Sequence, residues 1–150
     1  MSLNLSIVEL CPNLKSLSHL FMKGDLETLQ VVFSSLQQLE SFRTLCGNNC
    51  LKEKELFEVL AKYSPESFHE LKLGYSFGAR SIILSEELEE FFINWNNRIT
   101  KRSLSFIVLH EHNGVTLLSS KNMMIIEKYE KLGVIKFEIG HVPLEEFLKF

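Results

Sequence analysis

The chain has 150 residues, 45% of them hydrophobic, and a formal net charge of −3. That length and apolar content suffice for one core, so neither disorder nor a disulfide scaffold is required, and the mixed charge lacks the basic footprint that nucleic acid or anionic lipid demands. No apolar run approaches the roughly 18 residues of a membrane span, and the opening MSLNLSIVEL lacks a secretory pattern, so the chain reads as intracellular, cytoplasmic or nuclear, with Cys11, Cys46 and Cys50 as reduced thiols.

In chain order, the first element is a short strand in CPNLKSL, with the apolar-x-x-apolar-x-apolar register Leu14, Leu17, His19. A helix follows, marked by Asp25 as N-cap and by Leu26, Leu29, Phe33 and Leu36 at gaps of three or four. The strand pattern returns at Leu39, Phe42, Thr44, then a turn spanning Cys46 to Cys50, then a helix with Leu56, Leu60 and Tyr63 that stops before Pro65. The third strand carries Phe68, Leu71 and Leu73, and the next helix, opened by Ser85, carries Leu88, Phe91, Trp95 and Ile99. A fourth strand is read at Lys101, Leu104, Phe106. The helix after it starts at Ser120, carries Ile125, Tyr129 and Leu132, and ends near Gly133, beside the fifth strand at Leu132, Ile135, Phe137. Finally VPLEEFLKF begins another helix at Pro143.

The strand pattern starts at positions 14, 39, 68, 101 and 132, steps of 25 to 33 residues. A strand-plus-helix unit of that size buries its apolar edge only when another unit stacks on it. The expectation is an α/β leucine-rich-repeat solenoid with short parallel strands on the concave side and helices on the convex side. Residues 1–150 form a single array of about five irregular units, open to truncation at both ends. A compact α/β domain with uneven elements is the alternative. The aligned stretches CPNLKSL, LQQLESF and SFHELKL favour the repeat, because they also share polar residues between the apolar ones. The twelve phenylalanines, and Trp95 within its helical series, read as filling between the strand and helix layers.

The segments CPNLKSL, LQQLESFRTLCGNN, LFEVLAKYSPESFHELKL, EELEEFFINWNNR and IIEKYEKLGVIKFE together resemble the leucine-rich-repeat portion of a fungal family of F-box proteins. The resemblance runs from Cys11 to Glu138 and is most specific around Tyr63-Ser64-Pro65 and Phe92-Ile93-Asn94-Trp95. It implies repeats that hold a protein to be ubiquitinated, with an F-box docking on the Skp adaptor of a cullin ligase. The ten residues before Cys11 are too few for F-box helices, so Skp and cullin are expected only if an F-box is supplied elsewhere. Where the family's repeats place an asparagine after the third leucine, this chain has Met22, Gly47, Ser76 and Leu109.

Alternation along a strand divides the candidate functional residues from the core. The outward set is Ser16, Ser18 and Leu20; Ser41, Arg43 and Leu45; Glu70, Lys72 and Gly74; Ser103, Ser105 and Ile107; Val134, Lys136 and Glu138. Parallel stacking brings Arg43, Glu70 and Lys72 onto neighbouring strands as a mixed charged patch. The expected partner-binding residues are Arg43, Leu45, Glu70, Lys72, Ser103, Ser105, Lys136 and Glu138, with Arg43 the best anchor. The expected function is non-catalytic protein binding, with no cofactor, no metal, no nucleic acid and no membrane.

Two motifs carry other chemistry. His110-Glu111-His112 sets two imidazoles on one side of an extended segment before an Asn113-Gly114 turn, the basis for an alternative reading as a small metal-dependent enzyme. It offers no evident third ligand. Cys46 and Cys50 are separated by three residues, a gap that suits neither a zinc knuckle nor an activated thiol. No phosphate loop, nucleophile elbow or spaced acid pair is present. A repeat fragment without independent function is a further alternative. Leu144, Phe147, Leu148 and Phe150 form an apolar set at the last helix, from which self-association through the C-terminal edge is expected.

Overall fold

A computed structural model describes residues 3–47, 49–75, 83–100, 102–110 and 119–141. Helices and strands alternate: α1 (Leu3–Leu10), β1 (Ser16–Ser18), α2 (Leu26–Ser35), β2 (Ser41–Cys46), α3 (Glu53–Tyr63), β3 (Glu70–Tyr75), α4 (Ser85–Asn96), β4 (Leu104–His110), α5 (Ser120–Lys131) and β5 (Ile135–His141). The five strands form one all-parallel sheet in chain order, β1-β2-β3-β4-β5. Each helix contacts the next, so the helices form a single layer over one sheet face. The expected α/β architecture with parallel strands and alternating helices is present. None of the described helices is long and apolar enough to cross a membrane. Helix α1 precedes the first expected strand and packs Ile7 and Val8 against the core. The helix expected from Pro143 lies outside the described residues.

The core between the layers combines leucines with a continuous set of aromatic rings. Phe21, Phe33, Phe42, Phe57, Phe68, Phe92 and Phe106 are fully enclosed. Phe33 meets Phe42 at 5.0 Å and Phe68 at 5.5 Å, Phe57 stacks on Phe91 at 4.3 Å, and Phe106 meets Phe137 at 6.1 Å. Trp95 is buried, as its helical spacing implies, and its indole N–H donates to the Arg102 carbonyl at 2.8 Å.

Strand register follows the sequence pattern within the first three units, where Leu17, Phe42 and Leu71 align, and between the last two, where Leu104 pairs with Ile135. Between the third and fourth units it is displaced: Leu71 pairs with Phe106 rather than with Leu104. The displacement is two residues, and because strand alternation has period two, every side chain keeps its face. The gain is in packing. The displaced register sets Phe106 in the same row as Leu71, with its ring against Phe57 and Phe92. Val134, expected on the outward face, is buried in the core, because it precedes β5 and alternation holds only within a strand. Ile99 and Leu132, assigned to apolar helix faces, are exposed: α4 ends at Asn96 and α5 at Lys131.

The α2 cap is the expected one, whereas the caps of α4 and α5 each lie one residue before the expected serine. Asp25 is the N-cap of α2, and its carboxylate accepts from the Met22 N–H at 2.9 Å. The α4 cap is Leu84, not Ser85; the Glu87 carboxylate reaches back to the Leu84 N–H at 2.8 Å, as Glu55 does to Lys52 at the start of α3. Ser85 instead donates its hydroxyl to Asn122 of α5 at 2.7 Å. Ser119 rather than Ser120 caps α5, accepting from the Asn122 N–H.

Gly133 has φ +77°, and the N–H groups of Gly133 and Val134 donate to the Glu130 and Tyr129 carbonyls, a Schellman closure of α5. No atom lies within 4 Å of where a Gly133 side chain would begin, so the cost of adding one is purely conformational. Gly133→Ala is therefore expected to lose about 1 kcal/mol in chemical denaturation. An unchanged midpoint would remove the left-handed cap from the account.

Two of the described groups with shifted titration, His19 and Glu89, contribute acid sensitivity. His19, edge-on to Phe21 at 5.0 Å, is held below its usual 6.5 by burial, with Asp25 opposing. Glu89 accepts from Lys128 Nζ and from the Tyr129 hydroxyl, both at 2.9 Å, and these bonds hold its carboxyl below the usual 4.5. In both cases the unfolded chain takes up the proton first as pH falls, so stability declines on acidification. The His19 step starts near pH 6.5 and levels off below its folded pKa; the Glu89 step starts near 4.5. Urea titrations of His19→Gln and Glu89→Gln across this range are expected to flatten the respective steps. A wild-type profile retained in either variant would reject that residue as the origin.

Candidate functional site

Alternation sends one half of every strand away from the helices, and among the described residues no helix packs on that face. Two rows of side chains cross it. Ser16, Ser41, Glu70, Ser105 and Lys136 form one, and Ser18, Arg43, Lys72, Ile107 and Glu138 the next. Beyond them Leu45 pairs with Gly74, and Leu109 with Gly140.

The polar groups of these rows are linked. Arg43 and Lys72 stand directly opposite each other on β2 and β3. The Arg43 guanidinium donates to the Ser18 hydroxyl at 3.3 Å. Glu70 accepts from the Ser41 hydroxyl at 2.7 Å and pairs with Lys72 Nζ at 3.5 Å, an exposed contact of small energetic worth that nevertheless fixes where the charges stand.

A cleft of about 430 Å³ opens here, lined by Arg43, Glu70, Lys72, Ile107, Leu109, Glu138 and Gly140. Four of the expected partner-binding residues, Arg43, Glu70, Lys72 and Glu138, thus come together from β2, β3 and β5. The other four are placed differently. Ser105 and Lys136 lie in the first row, outside the cleft wall. Leu45 is buried in a small apolar cluster with Cys50 and Leu109, against which Leu20 and Ile107 pack. Ser103 precedes β4, and its hydroxyl is enclosed.

Leu109 and Gly140 were not among the expected site residues. Both follow from carrying the alternation two residues further along β4 and β5. A side chain at Gly140 would begin 3.1 Å from Leu109 Cδ2 and 3.2 Å from Ile107 Cγ2, closer than side chains normally pack, so the methyl groups of these two residues close over Gly140 and form an apolar floor there.

The other candidate chemistry is less well supplied. Burial, with Glu53 next in effect, pushes the Cys46 thiol well up, and burial also raises Cys50. This is opposite to what a nucleophilic thiolate needs. Glu53, which the sequence does not single out, is buried at the first position of α3 and accepts from the Tyr75 hydroxyl. Among the described residues no group of three or more His, Cys, Asp or Glu side chains could hold a metal. The backbone of His110 ends β4 opposite His141; its side chain, Glu111 and His112 lie outside the described residues.

Comparison of the chain with protein-family models, with curated proteins and with solved structures returned no match.

Proposed function

We propose that the chain is a non-catalytic protein-binding module that docks its partner on the helix-free face of the sheet. The observation that carries this reading is the cleft in which Arg43, Lys72, Glu70 and Glu138, drawn from three strands, surround an apolar floor at Ile107, Leu109 and Gly140. Arginine beside an apolar floor is a combination on which interface energy usually concentrates.

The same reading takes the five strand-and-helix units as leucine-rich repeats of a short solenoid, with this face concave. Strands ordered as in the chain, and each helix packed on the next, support it. The resemblance to the repeats of fungal F-box proteins extends the proposal to substrate recognition for a ubiquitin ligase inside the cell. Skp and cullin would join through an F-box carried elsewhere.

The test is a quantitative pull-down from the source cell with wild type and the Arg43→Glu, Lys72→Glu double variant, both checked by circular dichroism. The wild type is expected to enrich a definite protein and the folded variant to lose it by tenfold or more, since each 1.4 kcal/mol is about a factor of ten. Capture unchanged by the two substitutions would reject the docking face. Skp and cullin among the captured proteins would bear out the ligase connection.

A further inference from the structure

We infer that the partner segment is an extended peptide that presents an acidic, an apolar and a basic side chain at every second residue. This rests on the docking reading above and adds the chemistry of what docks. The second row of the face runs Ser18, Arg43, Lys72, Ile107, Glu138, so it is cationic over β2 and β3, apolar over β4 and anionic over β5. Charge therefore changes sign across the cleft. A ligand of one charge would meet repulsion at one end, whereas a segment of opposite polarity satisfies both.

The distances select the spacing. Neighbouring strands are about 4.8 Å apart, which sets Ile107 about 7 Å, and Glu138 about 12 Å, from the midpoint between Arg43 and Lys72. An extended peptide advances about 3.3 Å per residue and turns alternate side chains the same way, so residues i, i+2 and i+4 fall at about 0, 7 and 13 Å on one side. The carboxylate lies over Arg43 and Lys72, where the guanidinium offers the better-matched geometry. The apolar side chain packs on the floor that Ile107 and Leu109 form over Gly140. The cation meets Glu138. A helical ligand, rising about 1.5 Å per residue, would cover the same span only with its charges about eight residues apart, so the sequence spacing distinguishes it from an extended one.

Selection from a displayed library of random dodecapeptides tests the inference on three proteins of verified circular dichroism. Wild type is expected to enrich, about tenfold or more over a no-protein control, peptides with opposite charges four residues apart and an apolar residue midway. Glu138→Lys makes the row cationic at both ends and is expected to select acidic residues at both positions. Arg43→Glu with Lys72→Glu is expected to select basic residues at both. The same consensus on all three proteins, or none on wild type, overturns the inference. A wild-type consensus of another pattern that disappears on the Arg43→Glu, Lys72→Glu protein overturns the partner chemistry while leaving the docking face in place. Retention of the cellular partner by that same variant is the outcome that rejects the face itself.

Discussion

Phe106→Ala is expected to lower the stability of the protein by about 3–5 kcal/mol, the range for removing a fully enclosed aromatic side chain. Phe106 has 0% exposure and lies on β4, with a parallel neighbour on each side. Its ring sits 5.9 Å from Phe92, 6.1 Å from Phe57 and 6.1 Å from Phe137, so one side chain joins α3, α4 and both C-terminal strands. Truncation would open a cavity bounded by three other rings, which cannot collapse without moving two helices. Phe106→Leu keeps much of the volume and is expected to cost less than half as much. Denaturant unfolding of the two variants checks both values. A loss below about 1 kcal/mol for alanine would mean that the aromatic wedge does not hold these elements together.

Arg98→Ala is expected to cost about 2–4 kcal/mol, although the residue lies in neither a helix nor a strand. The half-buried guanidinium donates to the carbonyls of Leu60 at 2.9 Å, Ser64 at 2.5 Å and Pro65 at 3.4 Å, while lying over the Trp95 ring at 4.5 Å. It thereby closes the C-terminus of α3 and brings a positive charge to the negative end of that helix. Desolvation lowers its pKa, with Glu66 opposing, and the group stays charged at neutral pH. Arg98→Met retains the apolar stem over the indole and loses the hydrogen bonds. Arg98→Lys retains the charge but not the planar fork. Both are expected to fall between wild type and alanine in urea midpoint. Full stability in the methionine variant would reject capping as the role of Arg98 and leave stacking alone.

These two residues mark what a linear reading reaches. The inward position of Phe106 follows from period-two alternation, and the face of each helix follows from gaps of three and four, because both periods are local properties of the backbone. The same alternation put Arg43, Glu70, Lys72 and Glu138 on one face, and parallel order in the chain made them neighbours. Arg98 carried no such signal. Its partners are 33 to 38 residues earlier in the chain, and only the packing of α4 beside α3 brings them within reach. The caps at Leu84 and Lys52 were hidden for a related reason: neither side chain caps, and a glutamate three residues on does so instead.

By itself, then, the sequence determined the alternation of strand and helix, the parallel sheet that this alternation requires, and which side of each strand meets the helices. Tertiary structure decided the two-residue displacement of β4 against β3, the burial of Val134 and Leu45, and the closing of Ile107 and Leu109 over Gly140 at the floor of the cleft. A displacement by two leaves every face unchanged, so the hydrophobic pattern is blind to it. The fit of Phe106 beside Leu71 and against Phe57 and Phe92 is not, because packing energy depends on which side chains meet and at what distance.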